Sequence, residues 1–406
     1  MTTPLFTPRL NAARARLEAF APLAGRHYAA ERNRDSGPER RDNVSLLSPY
    51  IRHRALAEHE VLAAVLQHHT PETAEKFIQE VFWRTYWKGW LQMRPQVWRS
   101  FLDECAAQRE RLEHEPGLRA AVTAAEQGRT GVEGFDDWAH ELVQTGYLHN
   151  HARMWFASIW IFTLQLPWTL GADFFLRHLL DADPATNTLG WRWVAGIQTP
   201  GKTYRADADN IARFSNHRFR PSGLARETHP LPAEAPPSPA PLSAPRDLPA
   251  GEPVLLLLHG DDLCGDAVLP AATRVAAVRV AAGGHTQHPW PFGAPAAEWV
   301  TCLAADAADH ARHTRQCPSG VLPGLDAAAL RQACVEMDLR VVATPEAPVG
   351  PVADGLERVA RELAAEGIEL VPLRRRWDAL AWPHATHGFF RFKRQIPELL
   401  AANGLL

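Results

Sequence analysis

Leu179-Leu-Asp-Ala-Asp-Pro-Ala-Thr-Asn-Thr-Leu-Gly-Trp-Arg-Trp193 sets two acids, an amide and two tryptophans into an apolar stretch. Buried carboxylates need partners, because an unpaired charge away from water is costly. Just upstream, Tyr147-Leu-His-Asn-His-Ala-Arg-Met154 offers a cation and polar groups. Together the two stretches read as a cofactor site. A cation paired with Asp181 above a flat, electron-rich ring would stabilise that ring's anionic, reduced form. An ordinary buried salt bridge is the plainer reading of the same residues. Asn187 both donates and accepts, which suits a ring nitrogen.

Outward from these stretches the pattern is helical from about Val61 to Phe219. Pro71 and Glu72 open a segment running through Trp90, Phe135 opens one that continues past Thr145, and Asp181 and Asp183 sit where a helix ends at Pro184. Most of the fourteen tryptophans lie in this half, and Trp87, Trp90, Trp155 and Trp160 read as core. Residues 221–252 turn to Pro, Ala and Ser, which cannot pack a core and predict an extended linker. Beyond them come short apolar runs at Val254–His259, Arg274–Val280, Leu339–Ala343 and Ile368–Pro372, with a helix at Val352–Glu366. Buried strands alternating with helices predict a parallel sheet. The expected organisation is a mainly α domain over 1–220, the linker, and a Rossmann-like α/β domain over 253–406.

A chain of 406 residues accommodates two cores. The formal charge of −3 gives no global sign of a nucleic-acid binder, although the first half is slightly basic. Five scattered cysteines form no CxxC pair and read as reduced thiols rather than a metal site. No apolar run reaches bilayer length and no signal-peptide core opens the chain, so a soluble, cytoplasmic protein without a membrane is expected.

Two further motifs carry chemistry. In Asp42-Asn-Val-Ser-Leu-Leu-Ser-Pro-Tyr50, hydroxyls and free amides at a helix start could hold a phosphate, or could simply cap the helix. In Phe77-Ile-Gln-Glu-Val-Phe-Trp-Arg84, Glu80, Trp83 and Arg84 share one helical face. A carboxylate beside an indole can hydrogen-bond a base edge while the ring stacks on it; an amphipathic helix with an internal Glu–Arg pair is the alternative.

From about Tyr28 to Trp193 these motifs, in this order, resemble the FAD-binding helical domain of the DNA photolyase and cryptochrome family. The resemblance implies FAD as cofactor. Tyr28, Ser45, Leu46, Leu47 and Ser48 would hold its pyrophosphate and ribose, and Arg84 also belongs to the cofactor set. Asn150, Arg153, Asp181 and Asp183 would surround its rings, with Arg153 and Asp181 as the ion pair, and Asn187 would face flavin N5. It further implies light-driven repair of cyclobutane pyrimidine dimers in DNA, double- or single-stranded. Glu80, Trp83 and Trp193 would receive the flipped lesion, with Asn150 and Met154 matching the dimer-repair pattern rather than the (6-4) branch. Glu80, Trp83, Asn187 and Trp193 would carry the chemistry. Trp191 and Trp168 would supply electrons. The alternative from the same family is a cryptochrome-like blue-light receptor that binds FAD and a protein partner without repairing DNA. A monomer is expected.

Three departures from the family pattern bear on these expectations. Glu115 stands where a third, surface tryptophan is expected, leaving Trp98 or Trp138 as substitutes. His151 replaces an Arg that contacts DNA phosphate. The α/β half follows the helical half instead of preceding it, as a permuted antenna-like domain or an unrelated partner. Within that half His259-Gly-Asp-Asp262 reads as a strand-end turn. Arg374–Arg376 with Phe389, Phe390, Arg391 and Lys393 reads as a solvated edge that could touch nucleic acid.

Overall fold

The computed structural model describes residues 5–265, 268–283 and 291–406. The first half is built from helices, as the periodicity requires. In the helix Glu75–Gln92, Phe77, Ile78, Val81, Phe82, Tyr86 and Trp90 recur at three- and four-residue spacing and are buried. The helix Phe135–Thr145 stops where a continuation was expected: Gly146 takes a left-handed φ of 67°. A Cβ there would come within 2.6 Å of Leu180, so the chain turns on a residue without one. A new helix, Asn150–Ser158, starts after His149, whose Nδ1 accepts the His151 N–H at 3.2 Å.

Pro184 also differs from expectation. It opens the helix Pro184–Val194 instead of closing the preceding one, Trp168–His178. A proline is harmless in a first turn because that N–H has no helical partner. Asp183 caps this helix by accepting the Thr186 N–H at 2.8 Å.

The second half holds β1 (Val254–His259), β2 (Val275–Ala281), β3 (Ser319–Leu322), β4 (Val341–Pro345) and β5 (Glu369–Leu373). All are parallel, in the order β3-β2-β1-β4-β5. The expected α/β sheet is therefore present. β3 has no counterpart among the expected strands, because its Ser-Gly-Val-Leu is short and half-exposed and offers no apolar run. The expected helix after β4 spans Pro351–Ala364.

Between the halves, residues 221–252 form no helix or strand but are tied down: Leu231 N–H donates to Ala195 at 3.0 Å and Ala240 N–H to Met93 at 2.8 Å. After β5 the chain returns to the helical half. Trp377 stacks on Phe82 at 4.9 Å and donates its indole N–H to Thr85 Oγ1 at 2.9 Å. One hydrophobic core therefore includes residues of both halves.

Strand order reverses between β1 and β4, where doubly wound sheets open a crevice at their carboxyl ends. Here Arg52, His53 and Arg54 of the helical half fill it. Arg52 pairs with Asp261 at 2.6 Å, the His53 ring meets the Gly260 carbonyl, and Arg54 reaches Asp262 at 3.3 Å and Asp378 at 2.6 Å. The His259–Asp262 turn thus locks the halves together. Among the described residues no helix is long and apolar enough to cross a membrane, and no cluster could hold a metal ion. None of the five cysteines forms a disulfide.

Candidate functional site

The ion pair expected between Arg153 and Asp181 is present as a bidentate fork, at 2.9 and 3.0 Å. Asp181 lies on the turn Leu179–Asp183 between two helices and is buried, while Arg153 keeps about a fifth of its side chain exposed at 21%. Burial by itself would raise the Asp181 carboxyl. Arg153, Arg84 and the Ser48 hydroxyl outweigh it and hold the group below its usual range. Arg84 binds both the Asp181 carbonyl, at 3.1 Å, and the Asp183 carboxylate. The helix Glu75–Gln92 therefore clamps the whole acidic turn.

Ser45 and Ser48 flank a tight turn in which Leu46 adopts φ 54°. The Leu47 N–H approaches Ser45 Oγ at 3.3 Å, and both serines remain partly exposed. Asn187 is 8% exposed and donates its amide to the Ala172 carbonyl at 2.7 Å. Among the described residues its Oδ1 accepts no hydrogen bond, which leaves an acceptor for a ring N–H. Tyr28 packs edge-on between Phe20 and Phe77 at 5.8 and 5.3 Å, with its hydroxyl raised by burial. Paired hydroxyls on a turn, an open amide oxygen and a guanidinium about a fifth exposed form a set of donors and an acceptor that fits a flavin dinucleotide.

Glu80 pairs with Arg32 at 2.7 Å and is only partly buried; burial raises its carboxyl while Arg32 draws it back. From this pair a line of contacts crosses the site. Beside Arg32, the Asn33 carbonyl takes the His151 Nδ1 hydrogen at 3.0 Å, and His151 Nε2 faces the Tyr204 hydroxyl at 3.2 Å. Tyr204 in turn lies over Trp193 at 5.7 Å. Desolvation depresses His151, which favours the neutral ring those contacts need. With both nitrogens engaged and the ring stacked on Trp155 at 4.2 Å, His151 is a strut between elements. Sequence alone could not show this, because Tyr204 stands 53 residues away.

Trp83 is placed differently from an open stacking platform. Phe389 lies flat on it, with ring centroids 3.6 Å apart and planes 13° from parallel, and Trp87 tilts against it at 5.3 Å. Asn150 is exposed at the start of its helix, with half-buried Met154 one turn along the same face.

Trp191 and Trp168 are buried. Trp191 contacts Trp160 edge-on at 6.3 Å, and Trp168 leads through Phe101, at 5.7 Å, to Trp98, stacked on Phe101 at 5.3 Å. Trp138 stacks instead on Trp155. Glu115 is exposed and paired with Arg111 at 2.8 Å. A cavity of about 60 Å³ opens on the other side of the acidic turn, between the halves, lined by Arg52, His53, Ala182, Pro184, Gly260 and Asp261 among others.

Residues 77–218 match the family model described as the FAD binding domain of DNA photolyase. A deoxyribodipyrimidine photo-lyase of Thermus thermophilus is 32% identical over 242 residues, 58% of this chain and 54% of the relative. Cryptochrome-1 of Arabidopsis thaliana is 36% identical over 97 residues, 24% of this chain and 14% of that protein. Among solved structures, a bacterial class III photolyase from Agrobacterium tumefaciens shares 25% identity over 52% of this chain and 45% of its own, with a TM-score of 0.38. The chain spans about half the length of the curated photo-lyase of Thermus it matches.

Proposed function

Because the helical half belongs to the DNA photolyase and cryptochrome family and its cofactor is FAD, we propose that this chain repairs cyclobutane pyrimidine dimers in DNA under light. One observation carries the reading. The helix Glu75–Gln92 presents Glu80 and Trp83 and, through Arg84, grips the turn that carries Asp181 and Asp183. A single rigid element thus sets lesion-recognising groups against the cofactor loop.

Reduced FAD, when bound, supplies the photoexcited electron that opens the dimer and is returned afterwards. The chain's own residues bind and orient. Ser45 to Ser48 would hold the diphosphate, Arg153 and Asp181 would fix charge beside the ring, and Asn187 Oδ1 would accept a hydrogen bond from an N–H of the ring. Glu80 hydrogen-bonds the flipped base edge, while Trp193 and Trp83 line the pocket. Trp191 and Trp168 carry reducing electrons inward; Trp98, reached through Phe101, extends the line but is itself buried, in contrast to the surface position expected of a third member.

The test is illumination of the reduced holoprotein with an oligonucleotide containing a thymine dimer, single- and double-stranded, followed by measurement of remaining dimer. Loss of dimer in either form supports repair; none in both, with flavin bound, overturns it. A cryptochrome-like receptor is the second reading, favoured by the Phe389 ring that covers one face of Trp83.

A further inference from the structure

We propose that the turn of helix Phe389–Lys393 is a DNA contact in which Phe390 stacks on an unpaired base and Arg391 and Arg394 meet the flanking phosphates. This rests on the reading that DNA approaches the Glu80–Trp83 face. Phe390 is 82% exposed, more than any other exposed large apolar side chain among the described residues. Single exposed apolar residues are ordinary, and Val335 at 67% is one such case. Phe390 differs in its surroundings. Its neighbour Phe389 is buried against Trp83, which fixes the helix next to the candidate pocket. The Tyr86 hydroxyl donates to the His387 carbonyl at 2.7 Å and holds the approach to the helix in place. Phe390 is therefore a rigidly mounted ring.

Along the chain beside it the formal charge is positive. Arg391 and Arg394 are exposed, as are His384 and His387, and no acid occurs between Asp378, which is buried, and Glu398. Lys393 is committed to Glu75 at 2.7 Å, so it anchors the helix. Arg391 sits 3.2 Å from the His387 ring and is exposed. An aromatic face beside guanidinium groups is the pairing that recognises single-stranded nucleic acid: the ring stacks on any base and the cations follow the backbone. A protein partner with an acidic groove would use the cations but has no need of a stacked base.

Undamaged, fluorescently labelled oligothymidine of roughly 12 nucleotides tests this by anisotropy, with the full chain loaded with FAD. Phe390→Ala is expected to weaken binding about tenfold, and Phe390→Trp to restore it. Arg391→Ala with Arg394→Ala should lower the slope of log affinity against log salt by about 1.4. Flavin absorbance reports that each variant is folded. Binding unchanged in Phe390→Ala, or no binding by the parent chain, overturns the proposal. The probe carries no lesion, so absent dimer repair with Phe390-dependent binding would sink the repair reading and leave this one standing.

Discussion

On the proposed reading, flavin retention turns on the Asp181–Arg153 pair. Replacing Asp181 by Asn removes the charge opposite a guanidinium that is only about a fifth exposed, at 21%. Breaking such a pair costs about 3–5 kcal/mol, part of it relieved by solvent. Purified Asp181→Asn is expected to carry less than a tenth of the parent's flavin, read as the ratio of flavin to protein absorbance. Glu80→Ala should act differently. It removes a partly buried carboxylate held by Arg32 outside the acidic turn, so flavin content should hold while dimer repair falls roughly tenfold, one good hydrogen bond being worth about 1.5 kcal/mol. The Arg153–Asp181 pair was legible in the sequence because buried charge demands a partner, whereas the pairing of Arg84 with Asp183, in place of an internal pair with Glu80, was not. His151 was not: its two partners come from distant turns, and only the fold shows that its nitrogens are already used.

At the scale of elements, the helix Glu75–Gln92 could be read from its apolar spacing, but its outer surface could not. The C-terminal segment covers it, and the close approach depends on Gly89. A Cβ there would stand 2.7 Å from the Trp382 ring and 3.0 Å from the Trp382 Cα, a backbone atom that cannot rotate away. Gly89→Ala should therefore push the segment off despite the helix propensity it adds. Overpacking of this kind costs about 1–3 kcal/mol, and the Trp83–Phe389 stack should loosen with it. A lower thermal midpoint with greater fluorescence quenching of Trp83 by acrylamide would show this; an unchanged midpoint would mean the contact is slack. The four longer strands were legible from their apolar runs, whereas β3 was not, since its half-exposed Ser-Gly-Val-Leu gains its strand geometry from pairing with β2. The two helix boundaries misread at Thr145 and Pro184 turn on residues that sequence leaves ambiguous: Gly146 takes a left-handed turn against Leu180, and Pro184, which can follow a helix or open one, here opens it behind the Asp183 cap.

For the whole molecule, burial of histidines ties stability to pH. His53 lies between the halves against the Gly260 carbonyl, and His149 caps the helix Asn150–Ser158 with its unprotonated Nδ1. Desolvation is the chief cause that brings each from 6.5 down to about 3. Above pH 6.5 both rings are neutral whether the chain is folded or not, and their full contribution is present. Between 6.5 and about 3 the unfolded chain takes up protons that the folded chain refuses, so stability falls as pH drops. At pH 5 the loss is about 2 kcal/mol for each ring, a unit of pKa being worth about 1.4 kcal/mol. Urea unfolding of the parent between about pH 7.5 and about pH 5 should show a midpoint that holds down to about pH 6.5 and then declines, before carboxylates titrate. His53→Gln should remove about 2 kcal/mol of that decline at about pH 5, because an amide can still donate to Gly260 and takes up no proton. The same slope in parent and variant would mean that His53 is open to water, and the packing of Arg52, His53 and Arg54 into the sheet crevice would then be looser than the structure has it.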